Sequence, residues 1–143
     1  MNIFNLLTMK SQVAFLYDNI TVKSALEDIH LNGYTAVPVI NTAGEYVSTV
    51  TEGDFLRYML NNDISGNKEL MDTDKLCDIP IKREILPVRV TAALDDLLEL
   101  AKTQNFVPVV DDRNIFIGIV TRKDLICYSC DRYTEIKKEL AAK

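Results

Sequence analysis

No stretch of this 143-residue chain reaches the roughly 20 consecutive apolar residues that cross a bilayer, so no transmembrane helix is expected. The opening residues, Met1-Asn2-Ile3-Phe4-Asn5-Leu6-Leu7-Thr8, lack a charged leader and a long apolar run, so no signal peptide is expected either. Cysteine is scarce and odd in number, with three in all, which argues against a disulfide framework and for a reducing cytoplasm. Histidine occurs once, as His30, with no matched nucleophile, which favours a surface or packing role over catalysis. Positive charge is also in short supply. Sixteen Lys and Arg face 21 Asp and Glu, for a net charge of −5. That balance disfavours general nucleic-acid binding, which draws its affinity from neutralising phosphates. An anionic ligand must therefore meet a local cluster of donors. The length suits one ordinary domain or two small, mutually dependent halves.

What the chain does have is one pattern written twice. Val37-Pro38-Val39-Ile40, a polar turn, Tyr46-Val47-Ser48-Thr49-Val50 and Thr51-Glu52-Gly53-Asp54 form the first copy. Val107-Pro108-Val109-Val110, a polar turn, Phe116-Ile117-Gly118-Ile119-Val120 and Thr121-Arg122-Lys123-Asp124 form the second. The offset is 70 positions here and 72 upstream, where Ala25, Leu26 and Glu27 meet Leu97, Leu98 and Glu99. The second copy is thus two residues shorter before its Val-Pro-Val strand, in a connector where deletions are tolerated. A unit of this size cannot bury its apolar face alone, so the copies should pack on each other.

Each copy reads as an extended segment, a helix, two strands and a second helix. The first helix is expected near residues 22–31, with Ala25, Leu26 and Ile29 on one face and Gly33 past its end. Its counterpart is expected near 93–103, with Leu94, Leu97, Leu98 and Ala101 on one face. Asn41-Thr42-Ala43-Gly44 and Asp111-Asp112-Arg113-Asn114 are turn sequences between β-branched strands. Thr51 and Thr121 open the second helices. Residues 61–69 read as an exposed connector, and Tyr133-Thr134-Glu135-Ile136-Lys137-Lys138-Glu139-Leu140 as a charged helical tail.

The paired Val-Pro-Val and Thr-x-x-Asp segments resemble the CBS domain family, across nearly the whole chain, as a tandem pair often called a Bateman module. The resemblance looks closest to small stand-alone CBS proteins of Gram-positive bacteria. It implies an α/β fold of two pseudo-two-fold-related β-α-β-β-α units packed through their small sheets. The corresponding organisation is a first motif over 1–62, a connector over 63–74, a second motif over 75–130 and a helical tail over 131–143. It also implies a homodimer, and a ligand from the adenine nucleotides (AMP, ADP or ATP) or cyclic di-AMP, bound in clefts between the motifs.

Carried over by position, the first cleft would use Gln12, Val13 and Ala14 with Tyr34, Thr35 and Ala36 against the base. Ile119, Thr121 and Asp124 would complete it, with Thr121 and Asp124 on the ribose. The second would combine Ile85, Leu86 and Pro87 with Asn105 and Phe106, plus Val50, Thr51 and Asp54. The chemistry suits the residues: an ionised Asp only accepts, and both hydroxyls of a ribose diol can donate to it. Free N–H groups at a helix start favour phosphate. A Thr-x-x-Asp before an apolar helix is equally a capping signature, and the two roles can coexist. Arg122 and Lys123 flank the second Thr-x-x-Asp and suit phosphate, with Lys10 as a further contact. Glu52 beside Thr51 opposes phosphate unless Lys82 or Arg83 compensates. The first cleft is therefore favoured.

Cys127-x-x-Cys130 lacks a second ligand pair, so no metal site is expected. The resulting expectation is a cytoplasmic, non-enzymatic regulatory module without a cofactor, sensing an adenine nucleotide and signalling to a protein target, with no membrane or nucleic-acid partner. The alternatives are a cyclic di-AMP receptor and a ligand-free dimeric scaffold.

Overall fold

The computed structural model describes residues 2–63 and 69–143. The part of the expected connector at 64–68 lies outside the described residues. The chain divides into two compact units, each made of more than one segment.

The first unit comprises Ala14–Ile85 and Arg113–Phe116. Its sheet has the order β2-β3-β4, from β2 (Leu16–Tyr17), β3 (Ala36–Ile40) and β4 (Tyr46–Thr51). The label β1 belongs to Thr8–Met9, in the other unit. Strands β3 and β4 form an antiparallel hairpin in which Ala36 faces Thr51 and Val37 faces Val50. Short β2 lies parallel to β3, with Leu16 opposite Val39. Helix α1 (Val22–Asn32) starts at Thr21, whose hydroxyl accepts the Ser24 amide, and stops at Gly33. Gly33 has a φ of 67°, the left-handed turn that glycine adopts without a Cβ penalty. Helix α2 (Glu52–Asn61) follows β4 without an intervening residue. Val22, Ala25 and Ile29 of α1 and Phe55 and Tyr58 of α2 join Val37, Val39 and Val50 in one core. The short helix α3 (Leu70–Thr73) was not foreseen, because four residues carry no readable period. Leu70 and Met71 rest against that core.

The second unit comprises Met1–Val13, Leu86–Asp112 and Ile117–Lys143. Its elements are β1, β5 (Val88–Arg89), α4 (Leu94–Ala101), β6 (Phe106–Val110), β7 (Phe116–Thr121, from Ile117 onward) and α5 (Arg122–Ala141). The sheet order is β1-β7-β6-β5, with β5 parallel to β6 and β1 antiparallel to β7. Ile3, Leu6, Leu97, Ala101, Val107, Val109, Val120 and Leu125 form the core. Compactness thus does not follow the written repeat, since the first thirteen residues belong with the second copy.

Two expected boundaries shift. The helix expected over 93–103 ends at Ala101. The charged tail continues α5 as a single 20-residue helix, because no Gly or Pro interrupts it.

Strand β1 accounts for a difference between the copies. Ser48 of β4 and Gly118 of β7 occupy equivalent repeat positions. Gly118 lies opposite Met9, and a Cβ there would sit 2.2 Å from the Thr8 carbonyl oxygen. Among the described residues β4 is an edge strand of its sheet, so no strand lies beside Ser48 as β1 lies beside Gly118. Gly118→Ser should displace β1 and lower the unfolding free energy by about 2 kcal/mol. Urea denaturation, with hydrogen exchange at Met9, checks this; unchanged protection there would contradict the close approach.

Candidate functional site

Both Thr-x-x-Asp segments stand where a strand turns directly into a helix. Thr51 ends β4 and is the N-cap of α2; Thr121 ends β7 and is the N-cap of α5. An N-cap keeps extended backbone angles while its hydroxyl accepts an amide of the first turn. Thr51 accepts the Asp54 amide at 3.3 Å, and Thr121 accepts the Asp124 amide at 3.1 Å.

The two carboxylates then part company. Asp54 Oδ2 accepts the Thr51 amide at 2.8 Å and the Thr51 hydroxyl at 3.0 Å, a full capping box. Arg57, one turn along, donates to Asp54 Oδ1. Asp54 is only 2% exposed, and its acceptor sites are engaged. Asp124 is half-buried, and among the described residues no group donates to its carboxylate. The repeat places Cys127 where the first copy has Arg57. Cys127 brings no cation in place of the one that Arg57 brings to Asp54 Oδ1, and Asp124 also lacks the return contacts that Thr51 makes to Asp54 Oδ2.

A cavity of about 430 Å³ adjoins Asp54, lined by Thr51, Asp54, Arg57, Lys82, Arg83 and Ile85. Three cations line it, of which Arg57 is paired with Asp54, and Glu52 is exposed outside the lining. A cavity of about 330 Å³ adjoins Asp124, lined by Asn5, Leu6, Leu7, Asp124, Cys127, Tyr128 and Asp131. It holds a second acid and no cation. The Arg122 Nε donates to the Ala101 carbonyl at 2.8 Å, so this guanidinium is held at the end of α4. Lys123 is exposed.

The remaining expected residues are distributed as follows. Lys10, Gln12, Val13, Ile119, Thr121, Arg122, Lys123 and Asp124 fall in one compact unit, and Ala14, Tyr34, Thr35 and Ala36 in the other. Val50, Thr51, Asp54 and Ile85 fall in one, and Leu86, Pro87, Asn105 and Phe106 in the other. Lys10 lies on a 3-10 turn and is half-buried. The Thr35 carbonyl accepts the Glu52 amide at 3.1 Å. His30 and the three free cysteines are exposed. Among the described residues no cluster of His, Cys, Asp and Glu is placed to hold a metal, and no helix is long and apolar enough to cross a membrane.

Sequence reasoning missed four polar side chains. Arg57 was readable, since Asp and Arg three apart on a helix are neighbours. Tyr46 and Thr49 were not readable. The Tyr46 hydroxyl donates to the Ile85 carbonyl at 2.7 Å and lies 2.8 Å from the Thr49 hydroxyl, anchoring the segment that walls the Asp54 cavity. Burial pushes the Tyr46 hydroxyl up to about 12, with Glu84 adding to the rise and Thr49 opposing it. Gln104, also buried, donates to the Leu86 and Phe106 carbonyls at 3.4 and 3.3 Å.

Comparison with known proteins agrees with this architecture. The sequence profile of the CBS domain family matches residues 3–61 and 76–131. The crystal structure of CbpB in complex with c-di-AMP shares 25% identity, covering 97% of this chain and 91% of that one, with a TM-score of 0.83. CBSX2 in complex with AMP shares the fold at 23% identity, covering 92% of this chain and 98% of that one, with a TM-score of 0.69. An uncharacterized protein of Methanocaldococcus jannaschii, MJ1225, is 23% identical over 139 residues. That match covers 90% of this chain and 50% of the relative, so this chain spans about half the relative's length.

Arg57→Met leaves the Asp54 charge buried without its cation and should cost about 2 kcal/mol of stability, read by urea unfolding. No loss would show that the pair is idle. Tyr46 deprotonates near 10 when unfolded but near 12 when folded, so its contribution is complete below pH 10 and fades between pH 10 and 12. Wild type should lose stability faster than Tyr46→Phe across that window.

Proposed function

Because the chain belongs to the CBS domain family as a tandem pair, we propose that it is a non-enzymatic regulatory module that senses an adenine nucleotide at Asp124. The observation that carries this reading is the contrast between the two equivalent carboxylates. Asp54 is consumed by its cap and by Arg57, whereas Asp124 stands at the start of α5 beside a cavity with its acceptor sites open. An ionised carboxylate there accepts both hydroxyls of a ribose 2′,3′-diol. The Thr121 hydroxyl caps the same helix, and the amides of its first turn, with exposed Lys123, favour a phosphate. Asp131 lines the same cavity and opposes a long polyphosphate, so a nucleoside monophosphate fits better than a triphosphate.

Cyclic di-AMP is the second reading, favoured by likeness to CbpB, whose crystal structure is a c-di-AMP complex. The two ligands differ in a way the site can sense. A 3′,5′-cyclic dinucleotide has no vicinal diol, only single 2′-hydroxyls. A carboxylate reader of diols therefore prefers the mononucleotide. Three free thiols agree with a reducing, cytoplasmic setting. Regulation requires that the ligand bind two states of the protein with unequal affinity, and that a protein target distinguish those states.

Calorimetry with AMP, ADP, ATP, cyclic di-AMP and 2′,3′-dideoxy-AMP tests the proposal. Binding of AMP should be lost in Asp124→Ala and weakened at least tenfold for the dideoxy analogue, the equivalent of about 1.4 kcal/mol. Asp54→Asn serves as the matched control and should retain AMP. Cyclic di-AMP binding that survives Asp124→Ala would transfer the case to the second reading. No binding by any of these compounds would leave a ligand-free scaffold.

A further inference from the structure

The 3-10 turns Ile3–Asn5 and Leu76–Asp78 are counterparts in the two copies. Each is closed by the next residue's amide donating to the first residue's carbonyl, Leu6 to Ile3 at 2.9 Å and Ile79 to Leu76 at 3.2 Å. Counted from these turns, Ile81 and Lys82 occupy the places of Thr8 and Met9. Thr8 and Met9 form β1 and pair with β7. Among the described residues, neither a strand nor a bridge joins Ile81 and Lys82 to β4. Where that pairing would lie there is a cavity of about 140 Å³, lined by Val47, Ser48 and Val50 of β4 and by Ile79 and Ile81.

The cause sits at one side chain. Strand β1 approaches Gly118 so closely that a Cβ there would lie 2.2 Å from the Thr8 carbonyl oxygen. Ser48 carries that Cβ and so holds the segment off β4. An edge strand with unpaired N–H and C=O groups, beside an apolar gap, gains contacts by closing. The segment is fastened at its ends, since Ile79 is 4% exposed and the Ile85 carbonyl accepts the Tyr46 hydroxyl at 2.7 Å. Between those anchors Pro80, Lys82, Arg83 and Glu84 are exposed.

Lys82 and Arg83 also line the Asp54 cavity, with Thr51 and Arg57. Closure in the register of β1 sets Ile81 beside Thr49 and Lys82 beside Ser48, running antiparallel to β4. Ser48 lies about 10 Å along the strand from Thr51, and Arg83 follows farther still. Closing therefore draws both cations away from Thr51 and Asp54. We propose that residues 80–84 are a strap with two seats, one along β4 as a fourth strand and one at the Asp54 cavity, where Lys82 and Arg83 receive an oxyanion of the phosphate class. The seats exclude each other, so the anion opens the β4 edge and closure expels the anion. The strap lies wholly within Ala14–Ile85 and is independent of the nucleotide reading at Asp124.

Hydrogen exchange by NMR, with inorganic phosphate titrated into the full chain and followed at Lys82 and Arg83, tests the proposal. Wild type should bind phosphate there and exchange the outward-facing β4 amides rapidly. Ser48→Gly, which restores the glycine of the other copy, should slow those amides roughly tenfold and weaken phosphate by the same factor, because the two effects are linked. Saturating phosphate should return them to the wild-type rate. Ser48→Ala keeps the Cβ and should behave as wild type. With Lys82→Gln and Arg83→Gln added to Ser48→Gly, protection should persist and phosphate should no longer reverse it. Exchange in Ser48→Gly as fast as in wild type would overturn the proposal, as would equal protection in Ser48→Ala. Protected amides with undiminished phosphate affinity would overturn the exclusion between the seats, and so would a wild type that binds no phosphate at Lys82 and Arg83.

Discussion

A threonine that both ends a strand and caps a helix leaves no loop between two rigid elements. At Thr51 and Thr121 the last ladder residue is also the first capping residue. The hydroxyl takes up an amide that a buried helix start would otherwise leave unsatisfied. Because the strand is fixed by its neighbours and the helix by its apolar face, the side chain three residues on has little freedom. That constraint makes the carboxylate at this position useful. Its chemistry is then decided by what surrounds it.

The two copies show how little is needed to change that chemistry. Arg57 and Cys127 are equivalent in the repeat, so the second copy lacks the cation that holds Asp54 Oδ1, and Asp124 lacks the return contacts from its capping threonine as well. Arg122 and Lys123 looked like the natural phosphate contacts because they flank Thr121. In space, Arg122 is spent on the Ala101 carbonyl, while Lys82 and Arg83 gather at the other site. Adjacency in sequence therefore misplaces cations whose long side chains reach across turns.

The fold was legible where its pattern was long and repeated. The Val-Pro-Val strands, the Thr caps and the Gly33 stop each have a local cause, and each element appears as expected. The two-residue strands were not legible, since Thr8-Met9 and Val88-Arg89 are too short to show alternation. At the site, the polar side chains that hold backbone carbonyls were hidden for the same reason. Tyr46 reaches Ile85 and Gln104 reaches Leu86 across long sequence intervals that no periodicity encodes. The joining of the tail to α5 was readable in principle, from the absence of any helix breaker between Arg122 and Ala141.

The pairing of Thr8 with Ile119 bears on how the chain is made. Strand β1 leaves the ribosome more than a hundred residues ahead of β7, its neighbour in that four-stranded sheet. The opening segment must wait, undocked, while more than a hundred further residues are added, and closing so large a loop is slow. The sheet built from Ala14–Ile85 carries no such delay, because all three of its strands lie within that stretch. Vectorial synthesis thus gives the two sheets an order of completion, with the earlier one finished before the ribosome delivers the strand that β1 requires.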